Sequence, residues 1–169
     1  VGPAHLQGLH SVQGVAREKD GLIQTVPPGG LAVVSRDYPE LMQAVPKRED
    51  ITLRTFSTLD DAEGCFLAWK EDDGQEGCRL GIGGPGTDCV LDLPPGRCWI
   101  AENIVAAACV TRYLGCAVQD IQAGLDRLSL PEHRGEVLRC GQVSILDDCY
   151  NANPLSMRRA LDWARQTAG

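Results

Sequence analysis

Three patterns are missing from this sequence, and each absence argues against a class of protein. No apolar stretch reaches the roughly 18–20 residues that a membrane-spanning helix needs. No basic run is present, and 16 basic against 23 acidic side chains give a net charge of −7, which argues against nucleic acid or an anionic membrane surface as a partner. The eight cysteines form no CxxC pair, so a zinc ribbon is not expected.

What is present is a chain of 169 residues that is 43% hydrophobic, enough for one domain with a core or for one domain and part of a second. Several cysteines lie inside apolar runs, as Cys109 does in "VAAACVT", and we expect them to be small buried hydrophobes in a reducing, cytoplasmic compartment. The first residues, "VGPAHLQG", contain neither an initiator methionine nor the pattern of a signal peptide. We therefore expect a fragment of a longer protein.

Short apolar runs predict the strands. Residues 30–35, "GLAVVS", follow "PPGG" and predict a buried strand. Residues 51–93 contain several short strand-like runs between acidic and glycine-rich turns, which predict a small antiparallel patch. Further on, strands near 136–140 and 142–146 around Gly141 predict a hairpin. This mixture of strands with helices able to cover them predicts an α/β core.

Helices are predicted from apolar spacing and from residues typical of helix ends. One is expected over 101–115, ending at Gly115, and another over 117–128. Asn153 and Pro154 fit the N-cap and first position of a helix that continues through Ala164.

The helix predicted after Ser11 contains a lysine on its apolar stripe. Lys19 falls between Ala16 and Leu22, where a lysine ordinarily buries its stem and leaves its amine in water. A desolvated lysine has the alternative of a neutral, nucleophilic amine, and its carbamate would resemble a carboxylate able to hold Mg²⁺. His5 lies 14 residues earlier in the predicted loop "GPAHLQG", where histidines are usually solvated.

Taken together, four segments resemble the Mur ligases, the ATP-dependent amide ligases of peptidoglycan synthesis. The segments are "GPAHLQG" with a lysine 14 residues after its histidine, "ENIVAAACVTRYLG", His133-Arg134 before "GEV", and "LDDCYNANPLSM". They follow the family's order and cover essentially the whole chain. The last segment is similar to the string "DDSYNANP-SM" of the members that join D-alanyl-D-alanine to a UDP-N-acetylmuramoyl-tripeptide.

The resemblance implies roles for individual residues. His5 and a carbamylated Lys19 would form the catalytic magnesium site. The implied nucleotide-binding residues are Asn103 at adenine, Arg134 at the phosphates and ribose, Asp148 at the ribose hydroxyls, and Tyr150 and Asn153 near the ATP and the incoming dipeptide. Simpler explanations stay open, because Asn153 is equally suited to be a helix N-cap and aspartates such as Asp148 are common in turns.

Two departures from the family pattern matter. In "GRCWIAEN", Cys98 replaces a histidine, so the adenine-reading position is Asn103 if the helix sets the alignment and Glu102 if "GRCW" does; we favour Asn103. The phosphate loop "GTxGKS/T" does not occur, and "GIGGPGTDC" has no lysine. We therefore expect residues 1–134 to be the C-terminal part of the central ATP-binding domain and 135–169 to begin the C-terminal domain.

The implied fold is a partial P-loop-type sheet with helices and a small antiparallel patch, followed by the first strand–helix unit of a Rossmann-like domain. The implied activity is ligation through an acyl phosphate with ATP and Mg²⁺, by a protein that is monomeric when full length and binds neither nucleic acid nor membrane. Two alternatives stay open. One is another Mur-type ligase, similar to folylpolyglutamate or cyanophycin synthetase, and the other is a noncatalytic binding domain derived from a ligase.

Overall fold

The computed structural model describes residues 6–45, 47–59, 65–72, 78–84, 88–93 and 100–167. Six helices and seven strands lie in this part of the chain, in the order α1 (Leu6–Leu9), α2 (Val12–Gln24), β1 (Leu31–Ser35), α3 (Pro39–Ala44), β2 (Thr52–Ser57), β3 (Cys65–Asp72), β4 (Cys78–Gly83), β5 (Cys89–Leu93), α4 (Ala101–Tyr113), α5 (Val118–Asp126), β6 (Glu136–Cys140), β7 (Val143–Asp147) and α6 (Pro154–Thr167). The predicted α/β class is confirmed. None of the described helices is both long enough and apolar enough to cross a bilayer.

A mixed five-stranded sheet has the order β1-β2-β3-β4-β5. The first three strands are parallel, and β3, β4 and β5 pair antiparallel. The antiparallel patch predicted over 51–93 is therefore wrong for its first strand, because β2 pairs parallel with β1 from Leu31↔Thr52 to Ser35↔Phe56. The α3 connection permits this pairing, since a helical crossover returns the chain to the end of the sheet where β1 began.

The parallel pairing of β2 with β3 depends on their stagger. Thr55 lies opposite Cys65, and Ser57 lies opposite Leu67. A parallel connection usually needs a dozen or more residues to travel back along a whole strand. Here Cys65 lies level with Thr55, two positions before the last residue of β2, so little backward travel separates the two strands.

The main core lies between the antiparallel strands and α4. Along β5, Cys89, Leu91 and Leu93 are buried while Val90 and Asp92 are exposed, the alternation of a sheet with one covered face. Leu91 and the α4 residue Val105 are both 0% exposed. Both belong to one buried cluster. Burying a side chain of this size stabilises a fold by about 1.5–3 kcal/mol, so this cluster holds α4 on the sheet.

The cysteine prediction is only partly right. Cys89 and Cys109 are buried, as expected for small hydrophobes. Cys140 and Cys149 are free but exposed. They belong to the two-stranded sheet of β6 and β7 and to the loop after it, where no second layer of the described structure covers them.

Local signals predicted several helix ends correctly. The Oγ of Ser11 accepts a hydrogen bond of 3.0 Å from the backbone N–H of Gly14, as expected for the N-cap of α2. Gly115 follows α4 with φ at +86°, a conformation that suits glycine at a helix C-terminus. The loop predicted for "GPAHLQG" is wrong in part, because Leu6–Leu9 forms the short helix α1.

Candidate nucleotide-binding site

A cavity of about 540 Å³ lies between α4, α5 and the segment that follows α5. The helices leave this space because small residues, Ala107, Ala108 and Gly124, lie where they face each other. The cavity is lined by Ile100, Asn103, Ile104, Ala107, Ala108, Thr111, Cys116, Asp120, Ile121, Gly124, Leu125, Leu128, Leu130, Pro131 and Arg134. A mostly apolar cavity of this size with a few polar groups is typical of small-molecule sites.

The position of α5 is set by one side chain at the edge of the sheet. The Gln122 amide donates a 2.9 Å hydrogen bond to the carbonyl of Asp92 and accepts another of 2.9 Å from the Asp92 N–H. These bonds occupy backbone groups of β5 that would otherwise lie unpaired at the sheet edge. They fasten α5 to the edge strand, while Leu125 packs into the core cluster shared with α4.

A hydrogen-bond network joins the carboxyl ends of β1 and β2. The Asp37 carboxylate accepts bonds from the Ser57 hydroxyl and from the N–H and hydroxyl of Thr58, the last two at 2.9 and 2.7 Å. Burial alone would raise the pKa of Asp37, but these hydrogen bonds outweigh it and lower the pKa below the ordinary 3.8. In parallel α/β sheets this edge is the usual place for ligands.

The neighbouring Tyr38 extends this network to the start of α4 and separates the roles of Glu102 and Asn103. The Tyr38 hydroxyl donates a 3.0 Å hydrogen bond to the carboxylate of Glu102, which is partly buried. Asn103 is exposed and lines the cavity. Asn103 thus faces the cavity while the Glu102 carboxylate is bonded to Tyr38; which of the two reads adenine stays a prediction.

Arg134 also lines the cavity and contacts Tyr150 in the segment after β7. Its guanidinium carbon lies 4.1 Å from the centroid of the Tyr150 ring, within the range of a cation–π contact. The Tyr150 N–H also donates a 3.1 Å hydrogen bond to the carbonyl of His133. Two predicted site residues that are 16 positions apart in the sequence are thus in direct contact.

Comparison with known proteins finds relatives over nearly the whole chain. No family model matches the chain. The UDP-N-acetylmuramoyl-tripeptide–D-alanyl-D-alanine ligase of Escherichia coli is 30% identical over 169 residues, which cover 98% of this chain and 37% of that enzyme. The crystal structure of MurF from Acinetobacter baumannii superposes with a TM-score of 0.79 at 25% identity, over 98% of this chain and 36% of that one.

Over nearly its whole length the chain is similar to Mur ligases. The fold is also that of the Thermotoga maritima MurF ligase solved in complex with ADP, with a TM-score of 0.77 at 24% identity over 98% of this chain and 38% of that one. The chain spans about a third of the length of the curated relatives it matches.

His133, Asp147 and Cys149 form a polar cluster beside the Arg134–Tyr150 contact. His133 Nδ1 lies 2.7 Å from Asp147 Oδ2, and Asp147 Oδ1 accepts a 3.3 Å hydrogen bond from the Cys149 N–H. The hydrogen bond to Asp147 raises the pKa of His133 and lowers that of Asp147. A hydrogen bond to Asp147 also raises the pKa of the Cys149 thiol.

The structure supports the helix-cap explanation for Asn153. The backbone N–H of Ser156 donates to the Asn153 side-chain oxygen, and the Ser156 hydroxyl accepts from the Asn153 N–H, both at 3.0 Å. This reciprocal pair satisfies backbone donors at the start of α6. Asp148 is partly buried after β7, and its implied contact with ribose stays a prediction, as does contact of Asn153 with ATP or the dipeptide.

Of the two alternatives for Lys19, the structure agrees with an amine in water, and its implied role as a carbamylated metal ligand stays a prediction. Lys19 and Leu22 are exposed, while Val15, Ala16, Asp20 and Ile23 form the buried face of α2. The apolar spacing shows which residues share a face but not how far the covered arc extends, and Lys19 lies at its open side. His5 lies outside the described residues, so the predicted pairing of His5 with Lys19 is not tested.

Proposed function

We propose that this chain is part of an ATP-dependent ligase of peptidoglycan synthesis that joins D-alanyl-D-alanine to a UDP-N-acetylmuramoyl-tripeptide. It would supply the nucleotide-binding side of that enzyme. The observation that carries the proposal is that Asn103 and Arg134 line the same cavity. We also infer that the boundary between two ligase domains lies at residues 134 and 135, between this cavity and β6.

The chemistry of the cavity suits a nucleoside phosphate. Its apolar walls can cover the faces of a purine, and the Asn103 amide offers one donor group and one acceptor to the edge of the base. The Arg134 guanidinium can pair with phosphate through two parallel hydrogen bonds. Because Arg134 lies over the Tyr150 ring, its planar group is already oriented before a phosphate arrives.

In the proposed reaction, ATP phosphorylates the terminal carboxylate of the tripeptide, and the dipeptide amine displaces phosphate from the acyl phosphate. Both steps build negative charge on oxygen, which prearranged cationic groups stabilise. Within the described residues, Arg134 is the cavity-lining cation placed to bind and orient the phosphates. Tyr150 would hold that side chain in position through its ring.

The described residues do not make a magnesium site around Lys19. Magnesium prefers oxygen ligands in octahedral geometry, and Lys19 provides oxygen only as a carbamate. Lys19 is exposed on α2. We therefore derive no step of the reaction through the ion.

The test of this proposal uses the full-length protein with ATP, MgCl₂, UDP-N-acetylmuramoyl-tripeptide and D-alanyl-D-alanine, followed by mass spectrometry of the product. Formation of the pentapeptide product supports the proposal. Product formed only from UDP-N-acetylmuramate and a single amino acid, or from a folate or an aspartate polymer, would identify another Mur-type ligase. Absence of any ATP-dependent product with folded protein would favour the noncatalytic binding domain.

Replacing Asn103 with alanine tests the cavity itself. A lost pair of hydrogen bonds to a base is worth about 1–2 kcal/mol, roughly 5–30-fold in affinity, so N103A should weaken ATP binding by that factor. The control is Gln119→Ala, because Gln119 is exposed on α5 and does not line the cavity. Equal ATP affinity of N103A and Q119A, measured by calorimetry on folded protein, would exclude this cavity as the adenine site.

A further inference from the structure

The cluster of His133, Asp147 and Cys149 combines three different metal-ligating side chains. One ligand atom from each residue, an imidazole nitrogen, a carboxylate oxygen and a thiol sulfur, lies within 4.8 Å of the other two. Among the described residues, this is the one group of three or more such side chains close enough to share an ion. We propose that it is a binding site for a divalent transition-metal ion of the zinc class.

The donor set selects the kind of ion. Nitrogen, oxygen and sulfur together are the ligands that Zn²⁺ takes in proteins, whereas Mg²⁺ and Ca²⁺ take oxygen. Three protein ligands leave one tetrahedral position for water or another small ligand. The site therefore differs in chemistry from the oxygen-rich sites at which Mg²⁺ accompanies nucleotide phosphates.

The geometry is close to that of a tetrahedral site. Metal–ligand bonds of about 2.0–2.3 Å place tetrahedral ligand atoms about 3.3–3.8 Å apart. The Nδ1 of His133 and the Oδ2 of Asp147, now 2.7 Å apart, would have to separate by about half an ångström. The thiol of Cys149, at most 4.8 Å from both, would need to approach by no more than about 1.5 Å.

The backbone already brings the three residues together. In the β6–β7 hairpin, Glu136 lies opposite Asp147. Extending the same register beyond the strands places His133 opposite Tyr150, where the Tyr150 N–H donates a hydrogen bond to the His133 carbonyl. The His133 side chain is 54% exposed and that of Asp147 is 16% exposed, so an ion can reach them from solvent. Little ordering would be needed on binding.

Binding would change the protonation of the cluster. It would break only bonds to hydrogen and would change no oxidation state. The Cys149 thiol would release its proton to solvent and bind as thiolate. Nδ1 of His133 would lose the proton it shares with Asp147, to solvent or by transfer to Nε2, and would bind through its lone pair. This inference does not depend on the proposed ligase activity.

The experiment titrates Co²⁺ and then Zn²⁺ into the protein. We expect one equivalent of Co²⁺ to produce a thiolate-to-cobalt charge-transfer band that Zn²⁺ removes and excess Mg²⁺ does not. His133→Ala and Cys149→Ser should each weaken binding at least about tenfold. Cys140→Ser is the matched control, because Cys140 is also an exposed free cysteine of this hairpin but is not in the cluster.

A second measurement uses the unaltered protein and so does not depend on the folding of variants. Zn²⁺ should protect Cys149 from alkylation by iodoacetamide and leave Cys140 reactive, as read by peptide mass spectrometry. Unchanged alkylation of Cys149 at saturating Zn²⁺ would overturn the proposal. Equal metal affinity of the H133A, C149S and C140S variants would overturn it as well.

Discussion

The Asp37 network predicts a pH-dependent stabilisation of the carboxyl edge of the sheet. Asp37→Asn removes the negative charge and replaces one acceptor oxygen with an amide group. Three hydrogen bonds now end on the carboxylate, from Ser57 and from the N–H and hydroxyl of Thr58. Bonds to a charged acceptor are worth about 1.5–3 kcal/mol when buried, and partial exposure of Asp37 reduces this value. We expect a total loss of about 1–2 kcal/mol at pH 7, a fall of roughly 2–8 °C in Tm.

The pH dependence has a definite sign. Because the folded-state pKa of Asp37 lies below its ordinary value of 3.8, the folded protein binds fewer protons at this group than the unfolded chain does around that pH. The stabilisation is therefore fully present above pH 3.8 and is lost as the pH falls through the lower folded-state pKa. The difference between wild type and D37N should be constant from pH 7 to 5 and should shrink in more acidic solution.

Urea unfolding of both proteins at pH 7, 5 and 3, followed by circular dichroism, measures this difference. Asp162→Asn is the control, because Asp162 is exposed on α6 and should change the unfolding free energy by less than about 0.5 kcal/mol. A D37N midpoint equal to that of wild type at pH 7 would refute the reasoning. A deficit that stays constant down to the lowest pH would refute the assignment of the stabilisation to the ionised carboxylate.

Two further predictions concern packing and capping. Leu91→Ala should cost about 2–5 kcal/mol of unfolding free energy, because Leu91 is 0% exposed. Val90→Ala on the same strand should cost much less, because Val90 is 52% exposed. Equal urea midpoints for the two variants would contradict the core assignment. Asn153→Ala should lower the unfolding free energy by about 1 kcal/mol and speed amide hydrogen exchange in the first turn of α6. Asn151→Ala, at an exposed position before the helix, should leave that exchange unchanged. Identical exchange in both variants would exclude the cap.

Chain-local signals predicted the helices and the hairpin well. The caps at Ser11 and Asn153 and the turn at Gly141 lie where the sequence placed them, because each depends on a few consecutive residues. The strand directions within 51–93 could not be predicted in the same way. A short apolar run shows that a strand is buried but carries no information on whether its neighbour, such as β1 beside β2, runs parallel or antiparallel.

Helix periodicity predicted which residues of α2 share a face but not which of them other elements bury. Lys19 and Leu22 lie on the predicted stripe of α2 and are exposed, whereas Asp20, which we did not place on the stripe, is 7% exposed. One of its oxygens accepts a 2.7 Å hydrogen bond from Gln24, and the other is buried with no hydrogen-bond partner in the described part of the chain. Which residues become buried depends on the elements that pack on the helix, and these are set by tertiary structure.

The contacts around His133 could have been deduced from the hairpin. With Gly141 in the turn, Cys140 faces Val143 and Glu136 faces Asp147; continuing the same pairing outward brings His133 opposite Tyr150, where the structure has a backbone hydrogen bond. The sequence analysis treated His133-Arg134 and "LDDCYNANPLSM" as separate family motifs. The strand register alone brings these two segments together. It therefore places the cluster of His133, Asp147 and Cys149 next to the Arg134–Tyr150 contact.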